Sequence, residues 1–225
     1  MLKVSRLLTA QPAFHGTPHD FDEFSSDFLG AGEGNFNYGK GFYFAGAKAV
    51  GIYYKDKLVE GVINYQGKPI CHQNFPDKNT LAKLNIVRRG ILNGEDPEDI
   101  ILENPFLNGL RPTDFSEPTG KLYEVEIPDD GPYLLWDEPL NKQPQAVLMA
   151  LVKNLGDELK ATMRGSYIYN LLARKFGGDD AASDYLDSLG IVGTQYLDGK
   201  SREVGSGTYD YVVFNAKNIR VLQKT

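Results

Sequence analysis

A histidine, two tyrosines and an aspartate stand where this chain could do chemistry. Phe14-His15-Gly16-Thr17 puts His15 on a short apolar run that breaks at glycine. Tyr38-Gly39-Lys40-Gly41-Phe42-Tyr43-Phe44-Ala45 puts Tyr43 inside an aromatic run behind a glycine-rich loop, and Tyr54 follows eleven residues after Tyr43. Tyr209-Asp210-Tyr211-Val212-Val213-Phe214 sets Asp210 at the head of an apolar strand. A polar tip on a β-strand holds a reactive group rigidly, and glycines let a ligand approach the backbone closely. Singly, each residue has a blander reading: a histidine bonded in a turn, tyrosines packed in a core. Glu203, seven residues upstream of Asp210 on the loop Gly199 to Gly207, is the nearest alternative carboxylate. Ser201-Arg202 on that loop reads either as structural or as a phosphate contact.

Other chemistries lack their signatures. Gly32-Glu33-Gly34 is a bare Gly-x-Gly, and Gly39-Lys40-Gly41 lacks the Gly-Lys-Ser/Thr of a P-loop. The dinucleotide fingerprint at a strand-to-helix turn is absent, as is the Gly-x-Ser-x-Gly elbow. Cys71-His72 has neither a second cysteine nor a neighbouring histidine to complete a zinc site.

Taken in order, these segments resemble the signatures of ADP-ribosyltransferases of the diphtheria-toxin and poly(ADP-ribose) polymerase type. Those enzymes open with His-Gly-Ser/Thr, continue with Gly-Lys-Gly-x-Tyr-Phe-Ala and a second tyrosine, and end with an acidic residue before a strand. The chain is more closely similar to the ADP-ribosyltransferase domains of phage and mobile-element polyvalent proteins. It carries their runs at His15 to Asp22, Gly30-Ala31-Gly32-Glu33-Gly34, Gly120 to Pro128 and Gly190 to Arg202. The resemblance implies an α+β fold with an ADP-ribosyltransferase-like split β-sheet core and peripheral helices. It implies NAD+ as substrate and no metal. His15 would bond the adenosine-ribose hydroxyl, and Gly16 and Thr17 would complete the dinucleotide grip at the nicotinamide carboxamide. Tyr43 and Tyr54 would sandwich the nicotinamide ring, and Asp210 would hold the 2″-hydroxyl and stabilise a developing cation. The polymerases carry glutamate at the Asp210 position, so the shorter side chain implies either slow activity or transfer of a single ADP-ribose unit. A macromolecular acceptor is implied, a protein first and a nucleic acid second, in a toxin or effector setting. Two alternatives stay open: an NAD+ glycohydrolase, or a catalytically degenerate NAD-binding module of a phage or mobile-element protein.

Composition bounds these readings. At 225 residues the chain suits one large domain or two small ones, and its 41% hydrophobic content is ordinary for a globular protein. Net charge is −6, without the general electrostatic footprint of a nucleic-acid binder. The single cysteine, Cys71, excludes an internal disulfide and fits a reducing compartment such as the cytoplasm, reached natively or by delivery into a target cell. No apolar run reaches 18 residues, so no membrane partner is expected. The start, Met1 to Leu8, has too short an apolar stretch for a secretory signal.

The elements that must position the candidate residues follow from pattern. Residues 1–12 read as a lead-in and 13–225 as one domain with an insertion at about 61–119. Strands are expected at Phe14 to Thr17, Phe42 to Phe44, Lys121 to Ile127, Gly193 to Leu197, Tyr209 to Phe214 and Ile219 to Leu222. Residues 19–41 read as a long loop over the site. Helices are expected at Ala47 to Leu58, with Val50, Tyr53, Tyr54 and Leu58 on one side, and around Thr80 to Leu92. Three more are expected at Gln145 to Leu159, Tyr167 to Phe176 and Ala181 to Leu189, with Gly177 and Gly190 as stops. Tyr133 to Trp136 reads as the start of a capped turn.

Overall fold

The computed structural model describes residues 10–26, 29, 36–129 and 131–225, without the side chains of Lys200 and Glu203. The first nine residues of the lead-in and the run Gly30 to Gly34 lie outside the described residues. The chain divides into two compact units, residues 1–15, 20–53 and 122–225 in the first and 16–19 and 54–121 in the second.

The first elements among the described residues are β1 (Ala10–Thr17), β2 (Phe42–Ala45) and α1 (Lys48–Lys57). β1 starts earlier than expected. Residues 10–12 join the sheet, and Gln11 Nε2 donates to the Pro128 carbonyl at 3.2 Å. The apolar side of α1 is not its buried side: Tyr53, Tyr54 and Leu58 are exposed, and Gly51 is the buried residue. A Cβ at Gly51 would lie 2.7 Å from the Phe14 Cβ, so the helix packs through the one position that lacks a side chain.

The second unit holds the stretch read as an insertion. It contains β3 (Asn64–Tyr65), β4 (Lys68–Pro69), α2 (Lys78–Leu92), α3 (Pro97–Glu103) and β5 (Phe115–Ser116), with the strands in the order β4-β3-β5. Asp77 caps α2 by accepting from the Thr80 amide at 2.7 Å, which satisfies one of the orphan donors at a helix start. Leu84 of α2 packs with Ile63, Tyr65 and Ile70 in a small core of its own.

The rest of the first unit runs through β6 (Lys121–Pro128), β7 (Tyr133–Leu135), α4 (Gln145–Leu155), α5 (Gly165–Phe176), α6 (Asp179–Ser188), β8 (Gly193–Leu197), α7 (Gly199–Val204), β9 (Tyr209–Val213) and β10 (Arg220–Lys224). Seven strands are hydrogen-bonded in one order, β10-β6-β1-β2-β9-β8-β7, so the α+β class holds. Side chains alternate across a strand, and register therefore sorts them by face. Tyr43 opposes Val212, which opposes Thr194; Ala45 opposes Asp210, which opposes Tyr196. That face carries the core in which Val212 and Tyr196 pack with Leu151, Ile168, Tyr169, Leu172 and Leu186 of α4, α5 and α6. On the other face Phe42, Phe44, Tyr211 and Val213 pack with Tyr123, Val125 and Ile127.

Three expectations change here. Tyr133 to Leu135 is a strand, parallel to β8, where a turn was expected. Three residues are too few to show a period, and the partner lies some sixty positions on. α4 stops at Leu155 because Gly156 takes φ 49°, a left-handed conformation. Residues 199–204 form α7 instead of a loop, capped by Asp198 and closed by Gly205 at φ 78°.

β7 is an edge strand, and its outer backbone groups need partners. The buried Gln143 supplies them: its Oε1 accepts from the Leu135 amide at 2.8 Å, and its Nε2 donates to the carbonyls of Leu135 at 2.8 Å and Glu138 at 2.9 Å. Gln143→Ala leaves those groups unpaired and is expected to lower stability by roughly 2–3 kcal/mol, read as a drop in the urea midpoint at unchanged slope.

Candidate active site

β9 carries Asp210 between β2 and β8. Its residue is 6% exposed, and its Oδ1 has no hydrogen-bond partner among the described residues. Burial pushes its carboxyl up to about 7, the neighbouring Asp198 adds to the rise, and the Gly46 amide opposes it. Asp198 lies one residue beyond β8 and is also buried. One of its oxygens accepts from the Ser201 amide at 2.8 Å, the other accepts from the Thr208 hydroxyl, and its own amide donates to the Thr208 carbonyl at 3.1 Å.

Tyr43 shares the Asp210 face through the register of β2 on β9. Its hydroxyl donates to the Gly39 carbonyl at 2.9 Å and accepts from the Tyr38 amide at 3.3 Å. Burial holds its proton well above the ordinary tyrosine range, so it acts as a neutral phenol. The glycine-rich loop is fixed by side chains. Thr194 donates to the Tyr38 carbonyl at 2.6 Å, Ser183 to the Lys40 carbonyl at 2.8 Å, and the Lys40 amide donates to the Tyr169 hydroxyl at 3.0 Å. Gly39 takes φ 107°, and a Cβ there would lie 3.1 Å from the Tyr169 ring.

Next to Tyr43 an aromatic stack closes the face. The Tyr38 and Tyr196 rings lie 3.8 Å apart at 8°, and Tyr43 meets Tyr196 edge-on at 6.5 Å. Arg202 of α7 lies 4.7 Å from the Tyr38 ring, donating to its hydroxyl at 2.6 Å and pairing with Asp137 at 3.1 Å. The Arg202 Nε is buried without a hydrogen-bond partner among the described residues.

His15 belongs to the other face. Its ring lies 5.3 Å from Phe24, 5.8 Å from Phe44 and 6.4 Å from Phe21 and Tyr123. Its Nδ1 is 2.8 Å from the Tyr43 carbonyl, which can only accept, so the proton is on Nδ1. The histidine thus meets Tyr43 through the backbone, while Asp210 shares a face with the Tyr43 side chain. Gly16, Thr17 and Tyr54 fall in the second unit. Gly16 and Thr17 complete β1, with Thr17 Oγ1 accepting from the His19 amide at 3.3 Å, and Tyr54 is 47% exposed on α1. The Glu203 backbone lies in α7 and its side chain is outside the described residues.

Sequence reasoning missed Asp198, Tyr38 and Tyr196. Asp198 carried a legible signal, an aspartate before Gly-Lys-Ser with a glycine seven positions on, the pattern of a short capped helix. The Tyr38 stack had none, because its partners are 158 and 164 residues away by number. Among the described residues no group of three histidine, cysteine or carboxylate side chains could hold a metal ion, and no helix is long and apolar enough to cross a membrane. Compared with protein-family models, with curated proteins and with solved structures, the chain matches none of them.

Proposed function

We propose that this chain is an NAD+-dependent ADP-ribosyltransferase that places a single ADP-ribose on a protein acceptor, in a toxin or effector of phage or bacterial origin. One observation carries the reading: a buried carboxylate, Asp210, keeps an oxygen without a partner on the sheet face that also carries Tyr43. Such an oxygen suits a ribose hydroxyl, which would donate to it. In the reaction the bond from C1″ to nicotinamide breaks and its electron pair leaves with the ring, which becomes neutral. Positive charge passes to the ribose, the acceptor adds its lone pair at C1″, and its proton goes to solvent. An ionised Asp210 would stabilise the cation, and buried charge acts strongly because little water screens it. The α+β sheet is compatible with the ADP-ribosyltransferase-like core that the sequence resemblance implies.

His15 enters this reading as a positioning residue, since its Nδ1 proton is committed to the Tyr43 carbonyl. His15→Ala is expected to lower kcat/KM for NAD+ roughly tenfold, the value of one hydrogen bond in a closed site. An unchanged kcat/KM in the folded variant would remove His15 from the site.

A second reading is favoured by the closed Tyr38–Tyr196 stack and by a carboxyl that holds its proton to about 7. It is a degenerate NAD-binding module. Labelled NAD+ incubated with the protein and a cell lysate separates the cases: transfer of label to protein supports the transferase, free ADP-ribose supports a glycohydrolase, and intact NAD+ supports the module.

A further inference from the structure

Asp198 has no part in the chemistry just proposed, yet it sits beside Asp210. Tyr196 opposes Asp210 across β8 and β9, and side chains two apart share a face. Asp198, two residues beyond Tyr196, is therefore the diagonal neighbour of Asp210 on that face. Both residues are more than nine-tenths buried. Their oxygens are used differently. Asp198 accepts from the Ser201 amide and the Thr208 hydroxyl, bonds that favour its ionised form. Asp210 has an oxygen that nothing among the described residues satisfies. Two buried carboxylates this close do not both ionise readily, and the better-bonded one keeps the charge.

We propose that Asp198 is a positioning residue whose charge, held beside Asp210 on the same buried face, adds to burial in opposing the ionisation of Asp210. The proposal rests on the transferase reading for its consequence, which is an activity that rises with pH. Other groups face Asp210 as well. β2 contributes the Tyr43 phenol and the Gly46 amide, and β8 contributes Tyr196. Arg202 of α7 lies over the Tyr38 and Tyr196 rings, and its charge is paired with Asp137. Phenols stay neutral through this range, so among the described residues Asp198 is the group on that face whose negative charge repels that of Asp210.

The test is the titration of Asp210, followed by carbon NMR of the side-chain carboxyls in the full chain and assigned by its loss in Asp210→Asn. In the unsubstituted protein its midpoint is expected near 7. Asp198→Asn keeps the shape and removes the charge, and Asp198→Ser keeps a helix cap and removes the charge. Both are expected to lower the midpoint, with burial still holding it above the ordinary carboxylate range, and to raise nicotinamide release at pH 6, by about fivefold if the midpoint moves from 7 to 6 and by no more than about elevenfold once the group is fully ionised. A midpoint that stays put in either folded variant overturns the proposal. So does an ordinary carboxylate midpoint in the unsubstituted protein, a result that stands even if both variants fail to fold. If the midpoint moves and no nicotinamide is released at any pH, control by Asp198 stands and the transferase reading falls.

Discussion

Asp210→Asn is expected to slow nicotinamide release on the order of 10²–10³-fold at pH 8 while NAD+ affinity changes little. A charge that matters only when the ribose becomes cationic acts on kcat and leaves ground-state binding nearly alone. The range is that of one preorganised electrostatic contact removed. The same substitution is expected to stabilise the protein at alkaline pH. The folded protein holds the Asp210 proton up to about 7, against an ordinary value of 3.8. Between those values the folded state holds the Asp210 proton that the unfolded one has lost, so the contribution of this group to stability is greatest below about pH 4 and is lost as pH rises through 7. Asparagine carries no charge to bury. The variant should therefore be more stable than its parent at pH 8 by about 2–4 kcal/mol, with the difference shrinking toward pH 5. Urea unfolding at pH 5 and pH 8 reads this directly. A variant less stable at both would mean that the carboxylate is satisfied in the folded protein.

Gly193→Ala is expected to be the most damaging single methyl group in the first unit. Gly193 opposes Val213 on β9 and Tyr133 on β7. A Cβ there would lie 1.9 Å from the Val212 carbonyl oxygen, a distance no real contact tolerates, and 3.0 Å from the Tyr133 ring. Both obstacles are fixed, one by a β-ladder and one by a fully buried ring. The strands must part, at a cost of roughly 3 kcal/mol or more. The shift falls two residues from Asp210, and displacements near 1 Å at a reacting centre cost about 10²-fold in rate. Gly199→Ala is the matched control. It opens α7, has nothing within 4 Å of its Cβ position, and should change stability by less than about 1 kcal/mol. Thermal unfolding of the two variants side by side should separate them by many degrees; equal midpoints would show that the β8–β9 pairing is looser than described.

What the sequence made legible were elements with a local pattern of their own. β6 alternates, β2 is an aromatic run, β8 and β9 are short runs bounded by turn residues, α5 and α6 end at glycines, and each lies within a few residues of its expected bounds. Asp210 was reached differently, through the resemblance of Tyr209-Asp210-Tyr211-Val212-Val213-Phe214 to an ADP-ribosyltransferase signature. Pattern fails where the deciding contact is distant in sequence. β7 exists because β8 accepts it in parallel and Gln143 covers its other edge. The face of α1 was misjudged because the packing of Gly51 on Phe14 outweighs the stripe of Tyr53, Tyr54 and Leu58. His15 and Asp210 look like partners in order along the chain, yet strand alternation sets them on opposite faces of the sheet, a consequence of a register the sequence does not display.

The central claim is that the unpartnered Asp210 oxygen marks a site that cleaves NAD+. The most direct measurement is nicotinamide released from NAD+ by the purified full chain at pH 8, beside the folded Asp210→Asn variant. The account predicts release by the parent and a rate on the order of 10²–10³-fold lower in the variant, with NAD+ binding by calorimetry within about threefold for both. Equal release from the two proteins, or NAD+ bound by the parent and recovered intact, would contradict it.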